Sequence, residues 1–128
     1  MSKEYGVKLN YLGYQKVDAD LFDQYDFYCC SSRREASPMS VWEALSYGVP
    51  IISNPVGDVA HVVEEYACGF MAKEISSDAL ADAIREAYLI DQSTYDAMST
   101  QSLRASALFD QQEIAAQYLS FYTEVISV

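Results

Sequence analysis

Two glutamates, Glu35 and Glu43, stand eight positions apart where the chain passes from a strand-like segment, 27–32, through a loop into a helix. Ser37 is predicted to cap that helix, and Pro38 to be its first residue. The N-terminus of a helix offers free N–H groups and a partial positive charge, so it can hold a phosphate, while carboxylates beside it can bind hydroxyls. This arrangement suits a nucleotide sugar, in which a diphosphate joins two groups rich in hydroxyls.

Composition limits the kinds of protein that this chain can be. Its 128 residues, 51% hydrophobic, are enough for one domain with a real core. The net charge of −11 and the scattered basic residues argue against nucleic acid as a partner. The three cysteines (Cys29, Cys30 and Cys68) lack the spacing of a metal site, which predicts free thiols in a reducing compartment. The reducing compartment expected from these thiols is the cytoplasm. The sequence contains no apolar run long enough to cross a membrane.

Strand-like segments alternate with helical ones along the chain. Strands are predicted at 7–13, 27–32, 50–53 and 70–72. Helices are predicted at 18–25, 38–47, 77–88 and 110–127, with one between Asp58 and Gly69 and another opening at Ser93. Such alternation predicts an α/β fold: a Rossmann-like parallel sheet of about four strands flanked by helices, in a single domain spanning 1–128. Ligands of such sheets bind at the carboxyl ends of the strands, and both Glu35 and Gly57 follow a strand.

The segment 26–52 resembles the donor-binding half of retaining glycosyltransferases of family four, which have the GT-B fold. That family shows a strand, a serine, E-G-F-P, an apolar helix start, E-A, and a turn of the form G-x-P-V-I. Here the matching letters are E-A-S-P from Glu35, E-A from Glu43 and G-V-P-I-I from Gly48. Further matches follow in order along the chain: Y-L-G-Y from Tyr11, V-G-D from Val56, C-G-F-M from Cys68 and D-A-L-A-D-A-I from Asp78.

The resemblance implies a catalytic role for Glu35, beside the donor sugar and the departing phosphate, and a ribose-binding role for Glu43. It implies that the backbone of 36–38 faces sugar hydroxyls, that 39–41 offer N–H groups to the diphosphate, and that 14 and 15 border the nucleobase. The donor-binding residues implied in this way are Tyr14, Gln15, Ala36, Ser37, Pro38, Met39, Ser40, Val41, Glu43 and Gly57.

Three positions depart from the family pattern. Ala36 replaces a glycine, and Ser37 replaces an aromatic residue, which predicts a wider or more polar sugar pocket. His61 stands where a glutamate is common, and it is expected on a helix surface rather than in catalysis.

The resemblance begins partway through the family's second domain. It therefore implies a truncated C-terminal donor domain, inactive without the N-terminal acceptor domain of the same protein. The reaction implied is transfer of a hexose-type sugar with retention, without metal or cofactor, by a full-length protein that is cytoplasmic or peripheral to a membrane. An apolar stripe on the last helix (Tyr118, Phe121 and Tyr122) and an open strand edge predict self-association of the fragment.

Two other functions stay open from the sequence. One is a non-catalytic α/β interaction module that kept the fold and lost the chemistry. The other is a GT-B sugar-nucleotide epimerase, although the acidic loop and the basic set of those enzymes are not found here. The presence of both Glu35 and Glu43 favours the transferase over the interaction module.

Overall fold

The computed structural model describes residues 6–127 and shows a three-stranded parallel sheet with the order β1–β2–β3. The strands are β1 (Tyr28–Cys30), β2 (Ile51–Ser53) and β3 (Gly69–Met71). In the register, Cys29 lies opposite Ile52, and Ile52 opposite Phe70. The α/β fold with a parallel sheet and flanking helices is confirmed, with three strands instead of about four. The predicted domain limits at residues 1 and 128 lie outside the described residues.

Six helices accompany the sheet in the described part of the chain. They are α1 (Ala19–Phe22), α2 (Met39–Ser46), α3 (Val59–Tyr66), α4 (Ser77–Tyr88), α5 (Gln92–Ser106) and α6 (Gln111–Ile126). A 3₁₀ turn (Ala107–Phe109) joins α5 to α6. The bounds of α4 are those predicted, and the observed α2 is shorter than the prediction by one residue at each end. Within 6–127, none of these helices combines the length and the hydrophobicity that a membrane span needs.

The predicted strand at 7–13 is wrong. The chain there has no regular structure, and its side chains are exposed. A strand exists only when a neighbour accepts its hydrogen bonds. Within the described residues β1 has a single neighbour, β2, so its other edge is not paired with 7–13. Alternating apolar residues are therefore insufficient for a strand in this segment.

The two faces of the sheet are packed unequally. On one face, α2, α3 and α5 enclose a cluster of fourteen buried residues centred on Val41, Leu45, Ile51 and Val59. On the other face, α4 covers a cluster of only three, Ile52, Ala83 and Ala87. The helix that carries Glu43 therefore lies on the better-packed side of the sheet.

Several helix ends differ from the sequence prediction. Helix α3 ends at Tyr66 and is capped by Ala67, whose φ is 51°. Gly69 belongs to β3 instead of ending the helix. A side chain at Gly69 would collide with the carbonyl of Ile51, so the close approach of β2 accounts for this glycine. Helix α5 is capped by Asp91, which accepts a hydrogen bond from the N–H of Thr94, and not by Ser93. Helix α1 ends at Phe22, three residues before the predicted limit.

Helix α2 is followed by two residues that favour a helix end in the sequence, Gly48 and Pro50. The N–H of Gly48 donates to the carbonyl of Leu45 (2.9 Å), and that of Val49 donates to Ala44 (3.0 Å). This pair of bonds is the Schellman ending, and Pro50 follows at once. The chain is thereby turned from α2 directly into β2.

Helix α6 has a well-formed start and little packing. The carboxylate of Asp110 accepts hydrogen bonds from the N–H groups of Gln112 (2.9 Å) and Glu113 (3.1 Å). No residue of α6 is buried, and the helix contacts the 3₁₀ turn before it. The aromatic stripe that the sequence analysis identified is exposed along this helix: Tyr118, Phe121 and Tyr122.

Candidate functional site

Two loops touch at the carboxyl edge of the sheet, one following β1 and the other following β2. The N–H of Asp58 donates to the carbonyl of Ala36 (3.0 Å). Gly57, which directly precedes Asp58 in the loop after β2, has a φ of +48°. A Cβ added at Gly57 would stand 2.0 Å from the carbonyl oxygen of Ala36. Only glycine accepts both this conformation and this approach. The segment that carries Glu35 is thus held against the loop after β2.

Asn54, the first residue after β2, also joins the two loops. Its side-chain amide donates to the carbonyls of Ser31 and Ser32, each at 3.1 Å, and its backbone N–H donates to Cys30 (3.2 Å). The residue is buried, and its Oδ1 has no hydrogen-bond partner among the described residues. Asn54 is not among the residues predicted from the sequence, although a polar residue directly after a buried strand at the carboxyl edge of the sheet is a usable signal.

Glu35 lies exposed in the loop between β1 and α2. Its Oε1 accepts a hydrogen bond from the hydroxyl of Ser32 (2.8 Å). The bond orients the carboxylate, and within residues 6–127 its second oxygen has no hydrogen-bond partner. Ser32 is a second residue that the sequence analysis missed as a contributor to the site.

The start of α2 differs from the prediction in a way that matters for binding. Pro38, not Ser37, occupies the N-cap position, and it makes no side-chain cap. The Ser37 hydroxyl instead accepts a hydrogen bond from the indole N–H of Trp42 (2.8 Å). The N–H of Val41 is bonded to the Pro38 carbonyl (3.0 Å). Ser40 and Met39 complete this first turn and are exposed.

Tyr28 reaches the same helix end from β1. Its phenol donates to the hydroxyl of Ser40 at 2.8 Å. It thereby places a polar group from the edge strand next to the N–H groups of α2, and nothing in the sequence motifs had identified it.

Glu43 is half-buried on α2, one turn after these N–H groups. Within residues 6–127 its carboxylate accepts no hydrogen bond, and it follows Trp42, which is firmly packed. A half-buried carboxylate on a fixed helix, with its oxygens free, can accept bonds from vicinal hydroxyls of a ligand.

Tyr14 and Gln15 are not brought together with the other predicted site residues. Tyr14 is 98% exposed, and Gln15 donates to the carbonyl of Leu12, which is a local contact (2.7 Å). The structure joins the loops after β1 and β2 that carry most of the predicted site residues, and leaves the residues predicted to border the nucleobase in an exposed segment.

Other ionisable groups lie outside this arrangement. His61 is on the exposed surface of α3, as predicted, with its Nε2 3.3 Å from the carboxylate of Glu65. Burial raises the pKa of the Cys68 thiol to about 11. The three cysteines are free, as expected from their spacing.

Together, the parallel sheet, its flanking helices and the polar loops at its carboxyl edge place this chain in the class of open α/β folds, whose ligands commonly bind at that edge. The family model described as "Glycosyl transferases group 1" matches residues 1–104. The chain therefore belongs to the group 1 glycosyltransferases.

Curated relatives agree with this family. The chain is 29% identical over 104 residues to the putative colanic acid biosynthesis glycosyltransferase WcaL of Salmonella typhimurium, covering 80% of this chain and 26% of that protein. It is also 29% identical over 110 residues to the GDP-mannose:cellobiosyl-diphosphopolyprenol alpha-mannosyltransferase of Komagataeibacter xylinus, covering 83% of this chain and 27% of that protein. The chain thus spans about a quarter of the length of these relatives.

A solved structure supports the fold. Sucrose-phosphate synthase from Thermosynechococcus elongatus superposes with a TM-score of 0.72 at 22% identity, covering 84% of this chain and 27% of that chain. At this identity the likeness concerns the fold alone.

Proposed function

We propose that this chain is the donor-binding part of a retaining glycosyltransferase that transfers a hexose-type sugar from a nucleoside diphosphate to an acceptor. The observation that carries the proposal is the hydrogen-bonded contact between the loops after β1 and β2. It fixes Glu35 beside the open start of α2, while Glu43 stands on the same helix. An anion-binding helix end flanked by two carboxylates suits a diphosphate between two sugars.

Each half of the site has a role in this proposal. The first turn of α2 holds the diphosphate, Glu43 binds the ribose hydroxyls, and Glu35 lies against the donor sugar. In the transfer, the bond from the anomeric carbon to the phosphate oxygen breaks. A bond from that carbon to an acceptor oxygen forms on the same side of the sugar, and the proton of the acceptor hydroxyl passes to the departing phosphate. The N–H groups stabilise the negative charge that grows on the departing phosphate.

The relatives indicate which donor to test first. Two of them, from Komagataeibacter xylinus and Xanthomonas oryzae, are GDP-mannose-dependent mannosyltransferases by name. GDP-mannose is therefore the first candidate donor, and UDP-glucose is a suitable comparison. We propose that the acceptor is held by a further domain of the same protein, that transfer occurs in the cytoplasm or at its membrane surface, and that neither a metal nor another cofactor is needed, so EDTA should leave turnover unchanged.

The experiment compares Glu35→Ala with the parent in a protein that joins this chain to its acceptor domain. Turnover should fall more than donor affinity, because Glu35 lies beside the bond that breaks. Glu64→Ala is the matched control, since Glu64 is an exposed glutamate on α3, outside the site. Normal turnover with only a raised KM would make Glu35 a binding contact and would refute its catalytic assignment.

A further inference from the structure

Trp42 is the single tryptophan of the chain, and it is almost fully buried, at 3% exposure. Its indole N–H donates to the hydroxyl of Ser37 (2.8 Å), in the loop that carries Glu35. A buried indole N–H needs an acceptor, and this hydroxyl supplies it. Trp42 also directly precedes Glu43, so one residue contacts the loop and positions the helix.

The indole is fixed from its other side by Phe109. The two rings are stacked with centroids 3.8 Å apart and an angle of 10° between their planes. Phe109 closes the 3₁₀ turn after α5, and α5 is itself packed against α2. Because the stack limits rotation of the indole, its N–H stays directed at Ser37.

The hydrogen bond changes what Ser37 can do. A serine just before a helix ordinarily turns its hydroxyl towards backbone N–H groups two or three residues later. For Ser37 these belong to Met39 and Ser40, and in the part of the chain that the structure describes neither donates a hydrogen bond. An oxygen held at the indole cannot also lie over these two groups.

We propose that Trp42 is a positioning residue whose indole N–H holds the Ser37 hydroxyl away from the start of α2, so that the N–H groups of Met39 and Ser40 stay open for a ligand phosphate. The identity of that ligand rests on the proposed function, since the phosphate is that of a nucleoside diphosphate. The hydrogen-bond competition itself follows from the contacts of Trp42 and does not depend on which ligand binds.

A double-mutant cycle tests the ligand part. Trp42→Phe keeps a ring to stack on Phe109 and removes the N–H, so the Ser37 hydroxyl is released to cap α2. GDP affinity, measured by calorimetry in a protein that contains the whole donor site, should fall about tenfold, the cost of one lost hydrogen bond to a charged group. In a Ser37→Ala background the same Trp42→Phe change should cost no affinity, because no hydroxyl competes. Guanosine, which lacks the diphosphate, should bind equally well to the parent and to Trp42→Phe.

A loss of GDP affinity that is equal in both backgrounds would show that Trp42 acts only through packing, and would overturn the proposal. Since a smaller ring can also disturb the fold, 3-benzothienylalanine at position 42 serves as the second variant. It has the shape of tryptophan and carries sulfur in place of the N–H, so the same tenfold loss is expected.

Amide hydrogen exchange tests the competition without any ligand. In the parent, the amides of Met39 and Ser40 should exchange rapidly. In Trp42→Phe at least one of them should be slowed, and the slowing should vanish when Ser37→Ala is added. Unchanged exchange in Trp42→Phe would overturn the proposal. If the exchange result is as expected but the parent binds neither GDP nor UDP, the positioning role stands and the proposed function fails.

Discussion

Helices α2 and α6 are stabilised in opposite ways. Helix α2 has eight residues, four of them buried, and its start has no side-chain cap. Helix α6 has sixteen residues, none buried, and its start is capped twice by Asp110. Tertiary packing therefore holds α2 while its N-terminal N–H groups stay open, whereas α6 depends on local sequence. A helix with an open end suits ligand binding, and a helix with an open face suits contact with another surface.

The largest difference is expected in the rate of thiol labelling, which compares two cysteines in the packed core with one cysteine on the edge strand. Cys30 and Cys68 are buried, and Cys29 is exposed on β1. Burial raises the pKa of the Cys29 thiol and of the Cys68 thiol, that of Cys68 to about 11, so the expected contrast comes from access to the labelling reagent. Mass spectrometry of the folded protein should show Cys29 labelled at least about a thousandfold faster than the other two, because those react only after the core opens. Labelling of Cys68 as fast as Cys29 would contradict the packed core.

The same substitution in the two helices should show unequal costs. Leu45 on α2 is 0% exposed and Leu119 on α6 is 70% exposed. Leu45→Ala should lower the free energy of unfolding by about 2–5 kcal/mol, through lost burial and a cavity. Leu119→Ala should change it by no more than about 0.5 kcal/mol. Denaturant unfolding measures both values, and a large cost at Leu119 would mean that α6 is covered in solution.

Alanine substitutions at two glycines extend the comparison of packed and open regions from helices to loops. Gly57 and Gly13 both have positive φ, but an added Cβ meets the Ala36 carbonyl at Gly57 and nothing within 4 Å at Gly13. Gly57→Ala should cost about 3 kcal/mol, from backbone strain and the collision together. Gly13→Ala should cost only about 1–2 kcal/mol, from strain alone. Equal urea midpoints for the two variants would show that the loop after β2 does not contact the loop after β1 as described.

The sequence was sufficient where the structure is local. Helix α4 was predicted with its true bounds from the helical spacing of Leu80, Ile84, Ala87 and Tyr88. The predicted apolar face was wrong in part, since Ile84 and Tyr88 are exposed and Ala83 is buried. The end of α2 was predicted from Gly48 and Pro50, which act on neighbouring backbone.

The sequence was insufficient where local structure depends on contacts with residues elsewhere in the chain. The segment 7–13 has the alternation of a strand, but forming one requires a partner that sequence alone does not identify. Ser37 has the propensity of a cap, yet its hydroxyl is taken by Trp42 five residues later. Glu35 and Glu43 were identified from their spacing around a helix start, and their separate roles came from the resemblance to a known family. The contacts of Asn54 required the fold, since they join two loops more than twenty residues apart.

The most direct test of the donor site is the affinity of Glu43→Ala for GDP and GDP-mannose, measured by calorimetry in a protein that carries the whole donor site. Glu43 should accept hydrogen bonds from both ribose hydroxyls, and the loss of such a charge-assisted bond costs about 1.5–3 kcal/mol. Affinity should therefore fall roughly ten- to a hundredfold. Glu113→Ala, an exposed glutamate on α6, should leave it unchanged. Donor affinity that is equal in Glu43→Ala and the parent would contradict the assignment of this edge of the sheet as the donor site.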